Sequence, residues 1–137
     1  MPVTAQFVDT NILLRFFSGE PPEQAMKARR LIERADAGEL LLIIVPLVLA
    51  ETFYTLESYY KIDRRLVAEK LEKFLHCRGI ETFEKTRLLD ALTRCRNKRV
   101  HLTDAYLAAC AAEMSQPIAS FDRDFEKFAD VKRIEPS

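Results

Sequence analysis

Glu39-Leu40-Leu41-Leu42-Ile43-Ile44-Val45-Pro46-Leu47-Val48-Leu49-Ala50-Glu51 contains the longest apolar run in the chain, closed by an acid at each end and broken only by Pro46. The part before the proline does not alternate, which predicts a strand covered on both faces, as in parallel sheets. Pro46 suits a first helical position, where a missing N–H has no partner to lose. The run therefore predicts a buried strand over Leu40–Val45 that enters a buried helix. It is also too short for the roughly 17–25 residues of a membrane span.

Working outward, Ala5–Val8 is a second short apolar run and ends at Asp9; it reads as another strand buried on two faces. Gly79 precedes Ile80–Phe83, and Pro117 opens Ile118–Phe121, which leads straight into Asp122; both are strand candidates. Helical patterns lie between these. Pro22–Ala37 carries Ala28, Leu31, Ile32 and Ala35 on one face and stops at Gly38, and the helix from Pro46 extends to about Tyr60. Asp63 is placed to cap a third helix burying Val67, Leu71 and Phe74. A fourth covers about Thr86–Asn97, and a fifth runs from near Thr103 to Met114. Strand and helix alternate throughout, so the expected fold class is a three-layer α/β/α sandwich around a mostly parallel central sheet. Ligands in such sheets bind beyond the carboxyl ends of the strands.

The 137 residues, with 48% apolar and 31% charged side chains, suit a single soluble domain over residues 1–137. No basic stretch leads into an apolar one at the N-terminus, and Asp9 stands where a signal peptide is greasy, so a cytoplasmic location is expected. Cys77, Cys95 and Cys110 are odd in number and 18 and 15 residues apart, matching neither a disulfide framework nor a zinc pair. With His76 and His101 the only histidines, any metal should prefer oxygen. The net charge is zero, yet Lys61–Arg99 holds twelve Lys or Arg against six Asp or Glu. That excess fits either solvated helix faces or a local nucleic-acid contact.

Four acids define a candidate site: Asp9 and Asp122 end strands, Asp104 opens a helix, and Glu51 interrupts an apolar one. Singly, each has a plain explanation, since Asp104 also suits a helix cap and Asp9 and Asp122 also suit turns. Asp124 reads as the start of a short surface helix through Phe125 and Phe128. Glu51 is the only charged residue from Leu40 to Leu56, so a buried carboxylate in need of a counter-ion or metal is expected there. Together the four would repel one another unless a hard divalent cation held them, and magnesium takes oxygen ligands. Such a site can activate water for displacement at phosphorus without a serine, cysteine or histidine nucleophile. The chain has no GxSxG elbow, Walker loop or GxGxxG fingerprint.

The segments V8-D9-T10-N11-I12-L13, V48-L49-A50-E51, L102-T103-D104-A105-Y106-L107-A108-A109 and S120-F121-D122 resemble, in order and spacing, the PIN-domain ribonucleases. Among these the chain is most similar to the VapC toxins of toxin–antitoxin pairs, and the likeness covers essentially its whole length. The resemblance implies an endoribonuclease in which Asp9, Glu51, Asp104 and Asp122 hold Mg2+ or Mn2+. It implies supporting roles for Asn11 and Ser120, with Asp124 as a further acid. It also implies a homodimer, tRNA or ribosomal RNA as substrate, and a small VapB-type antitoxin. Arg94, Arg96, Lys98 and Arg99, just before the helix carrying Asp104, are candidate RNA-backbone contacts; His101 could approach a phosphate or simply cap the helix. Tyr54, Tyr59, Tyr60, Phe16 and Phe17 outnumber what one core needs and are candidates for an interface, with core packing the default for Phe16, Phe17 and Tyr54.

Other acidic α/β sites fit less well. A haloacid-dehalogenase-type phosphatase needs a second Asp where Asn11 stands, and a receiver domain needs a phosphoacceptor Asp after Ile80–Phe83. A PIN fold that processes RNA, or binds without cutting, stays open.

Overall fold

The computed structural model describes residues 3–137. Its elements run β1 (Thr4–Phe7), α1 (Thr10–Ser18), α2 (Pro22–Asp36), β2 (Leu40–Ile43), α3 (Pro46–Ser58), α4 (Arg64–Leu75), β3 (Ile80–Glu81), α5 (Lys85–Lys98), α6 (Leu102–Met114), β4 (Ile118–Ala119), a 3-10 helix over Arg123–Lys127, and β5 (Arg133–Ile134). The fold is α/β with parallel strands, as expected, and has six helices where the sequence predicts five.

β2 lies between β1 and β3, with Leu42 opposite both Gln6 and Ile80. Leu40, Leu42 and Ile44 are buried in its centre. The core continues through Leu49, Phe53 and Leu56 of α3, Val67 and Leu71 of α4, and Leu92 of α5. Each such side chain contributes about 1.5–3 kcal/mol by leaving water. Thr52 is the one buried polar residue among those described; its hydroxyl donates to the Val48 carbonyl at 2.8 Å, so no donor is stranded.

β1 departs from expectation. A strand covered on both faces was predicted over Ala5–Val8, but all four residues of β1 are exposed, Phe7 at 68%, and only Val8 beyond it is buried. Among the described residues β1 pairs with β2 alone and lies at the edge of its sheet, its side chains left uncovered on both faces, while β4 pairs with β5 in a separate two-stranded sheet. Exposed edge strands tolerate polar residues such as Thr4 and Gln6 because nothing packs over them.

Local chemistry explains the helix ends. Pro22 and Pro46 stand in first turns, and the Asp63 carboxylate accepts the Arg65 N–H at 3.1 Å. α1 was not predicted. Asp9 starts it, taking the Ile12 N–H at 3.1 Å, and Gly19 ends it with φ +75°. The C-terminal segment is tied back by Arg94, whose guanidinium donates to both Asp130 oxygens at 2.8 and 2.5 Å and to Asp90 at 3.1 Å, and lies 5.2 Å from the Phe128 ring centre. Phe16 and Phe17 pack against Phe74, as the core default held. Among the described residues, no helix is long and apolar enough to cross a membrane.

Candidate active site

The turn after β1 builds the first part of the site. Asp9 has extended backbone, and its cap bond to Ile12 fixes one carboxylate oxygen. The next residue, Thr10, donates its hydroxyl to Glu51 Oε2 at 3.1 Å and so brings the α3 acid to the start of α1. Asn11 is exposed and, among the described residues, makes no hydrogen bond to Asp9; the Ile12 N–H orients that carboxylate instead.

Glu51 corrects a second expectation, because it is exposed rather than buried. α3 buries Leu49, Thr52, Phe53 and Leu56 and turns Leu47, Glu51 and Tyr54 outward. Those three are four and three residues apart, the spacing of one helical face. Leu47 is 83% and Tyr54 67% exposed, so the core default for Tyr54 also fails. Tyr59 is exposed as well and stacks edge-on against Tyr60 at 4.9 Å. An acid on this face keeps its charge without a buried counter-ion, and neighbouring apolar residues made a surface face look internal.

The other acids are linked by charge to the start of α6. Asp104 lies in its first turn, where negative charge is favourable. The helix itself starts at His101, which makes no side-chain cap bond, so Asp104 is not the cap. Burial first, then the charges of Asp122 and Asp124, hold the Asp104 carboxyl above its ordinary 3.8, while His101 and Arg64 act the other way. Asp122 caps the 3-10 helix, accepting the Asp124 N–H at 2.8 Å, and its own N–H donates to Ser120 Oγ at 2.9 Å. The Asp124 carboxylate is 3.2 Å from Lys127 Nζ.

The acids thus fall into two groups: Glu51, held by the hydroxyl of Thr10 next to Asp9, and Asp104, whose carboxyl senses the charge of Asp122. Among the described residues, none of these four forms an ion pair, and no group of three or more His, Cys, Asp or Glu is spaced to hold a metal ion. The donor chemistry still fits a hard divalent cation. Magnesium is commonly bound by one or two carboxylates together with waters and substrate phosphates rather than by a full protein cage. Carboxylates with no ion-pair partner among the described residues supply that kind of ligand.

Of the four basic residues singled out earlier, Arg94 is occupied by Asp90 and Asp130, and Arg96 faces Glu72 at 3.1 Å. Lys98 and Arg99 are exposed. Sequence reasoning missed Thr10 and Arg64. Arg64 donates to Glu57 at 2.5 Å and to the Arg99 carbonyl at 3.3 Å, and its Nη2 lies 3.1 Å from His101 Nδ1. A guanidinium only donates, so Nδ1 accepts and the neutral His101 carries its proton on Nε2. The signal for Thr10 was its place between Asp9 and Asn11; Arg64 has none beyond following a cap residue. A separate cleft of about 530 Å3 is lined by Glu84, Arg87, Asp90, Arg94, Glu113 and Asp130, and contains none of the four acids. Its charges largely neutralise one another.

Two aspartates should move stability in opposite directions with pH. The hydrogen bond from Arg94 holds the Asp130 carboxyl below 3.8, so its contribution is present above that value and lost as pH falls through the depressed one. Asp130→Asn should therefore lower stability at neutral pH by about 1 kcal/mol, a figure discounted for exposure, and change little in strong acid. Asp104 has the reverse sign. Its raised value favours the protonated fold, and that advantage is lost as pH rises through it. Metal-free Asp104→Asn should melt above the wild type at neutral pH, with the gap closing below 3.8. Thermal unfolding in chelator at both pH values checks the pair; shifts independent of pH would assign the effects to packing.

The PIN domain family model matches residues 7–131. No curated protein matches the chain.

Proposed function

The chain belongs to the PIN-domain family, whose members are generally nucleases, and from that premise we propose that it is a metal-dependent endoribonuclease using Asp9, Glu51, Asp104 and Asp122. The observation that carries this reading is the state of Asp104: a partly buried carboxyl with Asp122 and Asp124 as its acidic neighbours and no ion-pair partner among the described residues. Leaving such a group unpaired is costly, and binding a cation is the function that offsets the cost.

The four acids would hold Mg2+, with Mn2+ able to substitute. When bound, the cation supplies a Lewis acid at the phosphodiester and lowers the pKa of a water. The chain's own groups set the geometry around it. The Ile12 N–H orients Asp9, and the Thr10 hydroxyl orients Glu51. The Asp124 N–H donates to the Asp122 carboxylate, and the Ser120 hydroxyl oxygen accepts the Asp122 backbone N–H. Neutral His101 carries a free Nε2–H beside the helix start, suited to donate to a phosphate oxygen. Lys98 and Arg99, exposed at the end of α5, would offset the repulsion between an acidic site and RNA.

The finer reading is a VapC-type toxin, acting on tRNA or ribosomal RNA as a homodimer and restrained by a VapB-type antitoxin. The sequence likeness supports it, and the outward face of Leu47 and Tyr54 beside Glu51 offers apolar surface for a protein partner. A non-catalytic RNA-binding module is favoured by one observation, the lack of any three-ligand group among the described residues.

Incubation of the purified chain with total RNA separates these readings. Cleavage is expected with Mg2+ or Mn2+, lost in chelator and restored by either metal. Intact RNA under all conditions would remove the catalytic proposal. For the toxin reading, expression of the chain should arrest growth, and co-expression of the neighbouring small gene should relieve the arrest.

A further inference from the structure

A second cleft, of about 400 Å3, is lined by Lys61, Arg64, Arg65 and Arg99 with Glu57 and Asp63. Its acids are already engaged: Glu57 receives the Arg64 Nε–H, and Asp63 caps α4. Positive charge therefore dominates. Arg64 is half-buried and fixed by Glu57, the Arg99 carbonyl and His101. Its two Nη atoms each use one N–H in these contacts, which leaves one on each without a partner among the described residues.

Two of the lining residues adopt backbone that side chains avoid. Lys61 has φ +57° and Arg99 φ +54°, and they follow the ends of α3 and α5. Glycine is the stable choice at such helix ends, because it has no Cβ to strain. Glu84 and Ser115 share this left-handed backbone, but Lys61 and Arg99 are the two of the four that line this cleft, each with a long basic side chain. The cleft also adjoins the acidic site, since Arg64 contacts His101 at the N-terminus of α6, and both act on the Asp104 charge.

We propose that this cleft binds a backbone phosphate of a single RNA strand, holding the strand where it runs on from the acidic site. The nuclease reading supplies the choice of RNA as ligand. Arg64, its charge already shared with Glu57, offers two N–H donors, unpartnered among the described residues, as a pre-set fork, and Lys61 and Arg99 provide the net charge that neutralises phosphate and releases counter-ions. The cleft lies apart from Arg94 and Arg96, whose charges are spent on Asp90, Asp130 and Glu72.

The test is binding of a labelled single-stranded oligouridylate to the full chain in chelator, across a salt series. Lys61→Gln with Arg99→Gln should leave the fold intact, because both side chains are exposed and the Arg99 carbonyl that Arg64 uses is backbone. Affinity should fall about tenfold, and the slope of log K against log salt should flatten by about 0.7, the value for one phosphate contact on a single strand. Arg29→Gln with Arg30→Gln on α2 removes the same charge from exposed positions elsewhere and should leave both readouts near the wild type. Equal losses in the two double variants, or none in either, would overturn the cleft. Because binding is read without metal, the two proposals fail separately. A chain that binds through Lys61 and Arg99 but cuts no RNA with metal refutes the nuclease reading alone. One that cuts while its binding ignores those residues refutes the cleft alone.

Discussion

Asp104→Asn is expected to reduce metal-dependent RNA cleavage at least about a hundredfold, since even partners of metal ligands typically cost 10–100-fold when removed. The substitution keeps the shape of the side chain and removes its charge. Asp9→Asn should do the same with little cost to folding, because Asn caps a helix as well as Asp and can still accept the Ile12 N–H. Glu51→Gln completes the set. The carboxylate is exposed and its Thr10 bond survives in the amide, so only ligand charge is lost. Cleavage rates at saturating Mg2+, with circular dichroism on each variant, check this. Wild-type rates in the Asp9 and Asp104 variants would end the assignment, and unfolding of either would make that acid structural.

The second large effect is on stability. Gly79 joins α4 to β3 with φ +78°, and a Cβ there would lie 2.2 Å from the Ala35 carbonyl oxygen and 2.9 Å from that of Leu40. Both obstacles are backbone, so neither can rotate away. The Gly79 carbonyl also accepts the Leu42 N–H at 2.7 Å, which ties this turn to the central strand. Gly79→Ala combines left-handed strain of about 1–2 kcal/mol with overpacking of about 1–3 kcal/mol, so a loss of roughly 2–5 kcal/mol is expected. Gly19→Ala is the control: φ is +75°, but nothing lies within 4 Å, and only the strain should appear. Urea unfolding of both variants measures the difference. Equal losses would mean that α2 and β2 move aside.

Much of the fold could be read locally. Pro22, Pro46, Asp63 and Gly38 mark helix boundaries through chemistry that acts within a few residues, and the boundaries lie close to where they were expected. α1 escaped because Ile12, Leu13, Leu14, Phe16 and Phe17 form an almost continuous apolar stretch, and Asp9 attracted attention as a strand end rather than as a cap. β5 has only two residues and exists through its pairing with β4, so no local pattern announces it. The four acids stood out as residue types: Asp9 and Asp122 after strands, Asp104 in the first turn of a helix and Glu51 inside an apolar one. Thr10 and Arg64 were not, because their roles depend on Glu51, forty-one residues away from Thr10, and on His101, thirty-seven from Arg64.

The chain by itself determined that parallel strands and helices share the fold and that Leu40–Ile44 lies at its centre. These follow from side-chain chemistry and periodicity, which act over short spans. Only the tertiary structure decided that β1 is an exposed edge, that Glu51 and Tyr54 face outward, and which arginines are neutralised. Exposure and ion pairing depend on what packs opposite a residue, and the packing partner lies far away along the chain.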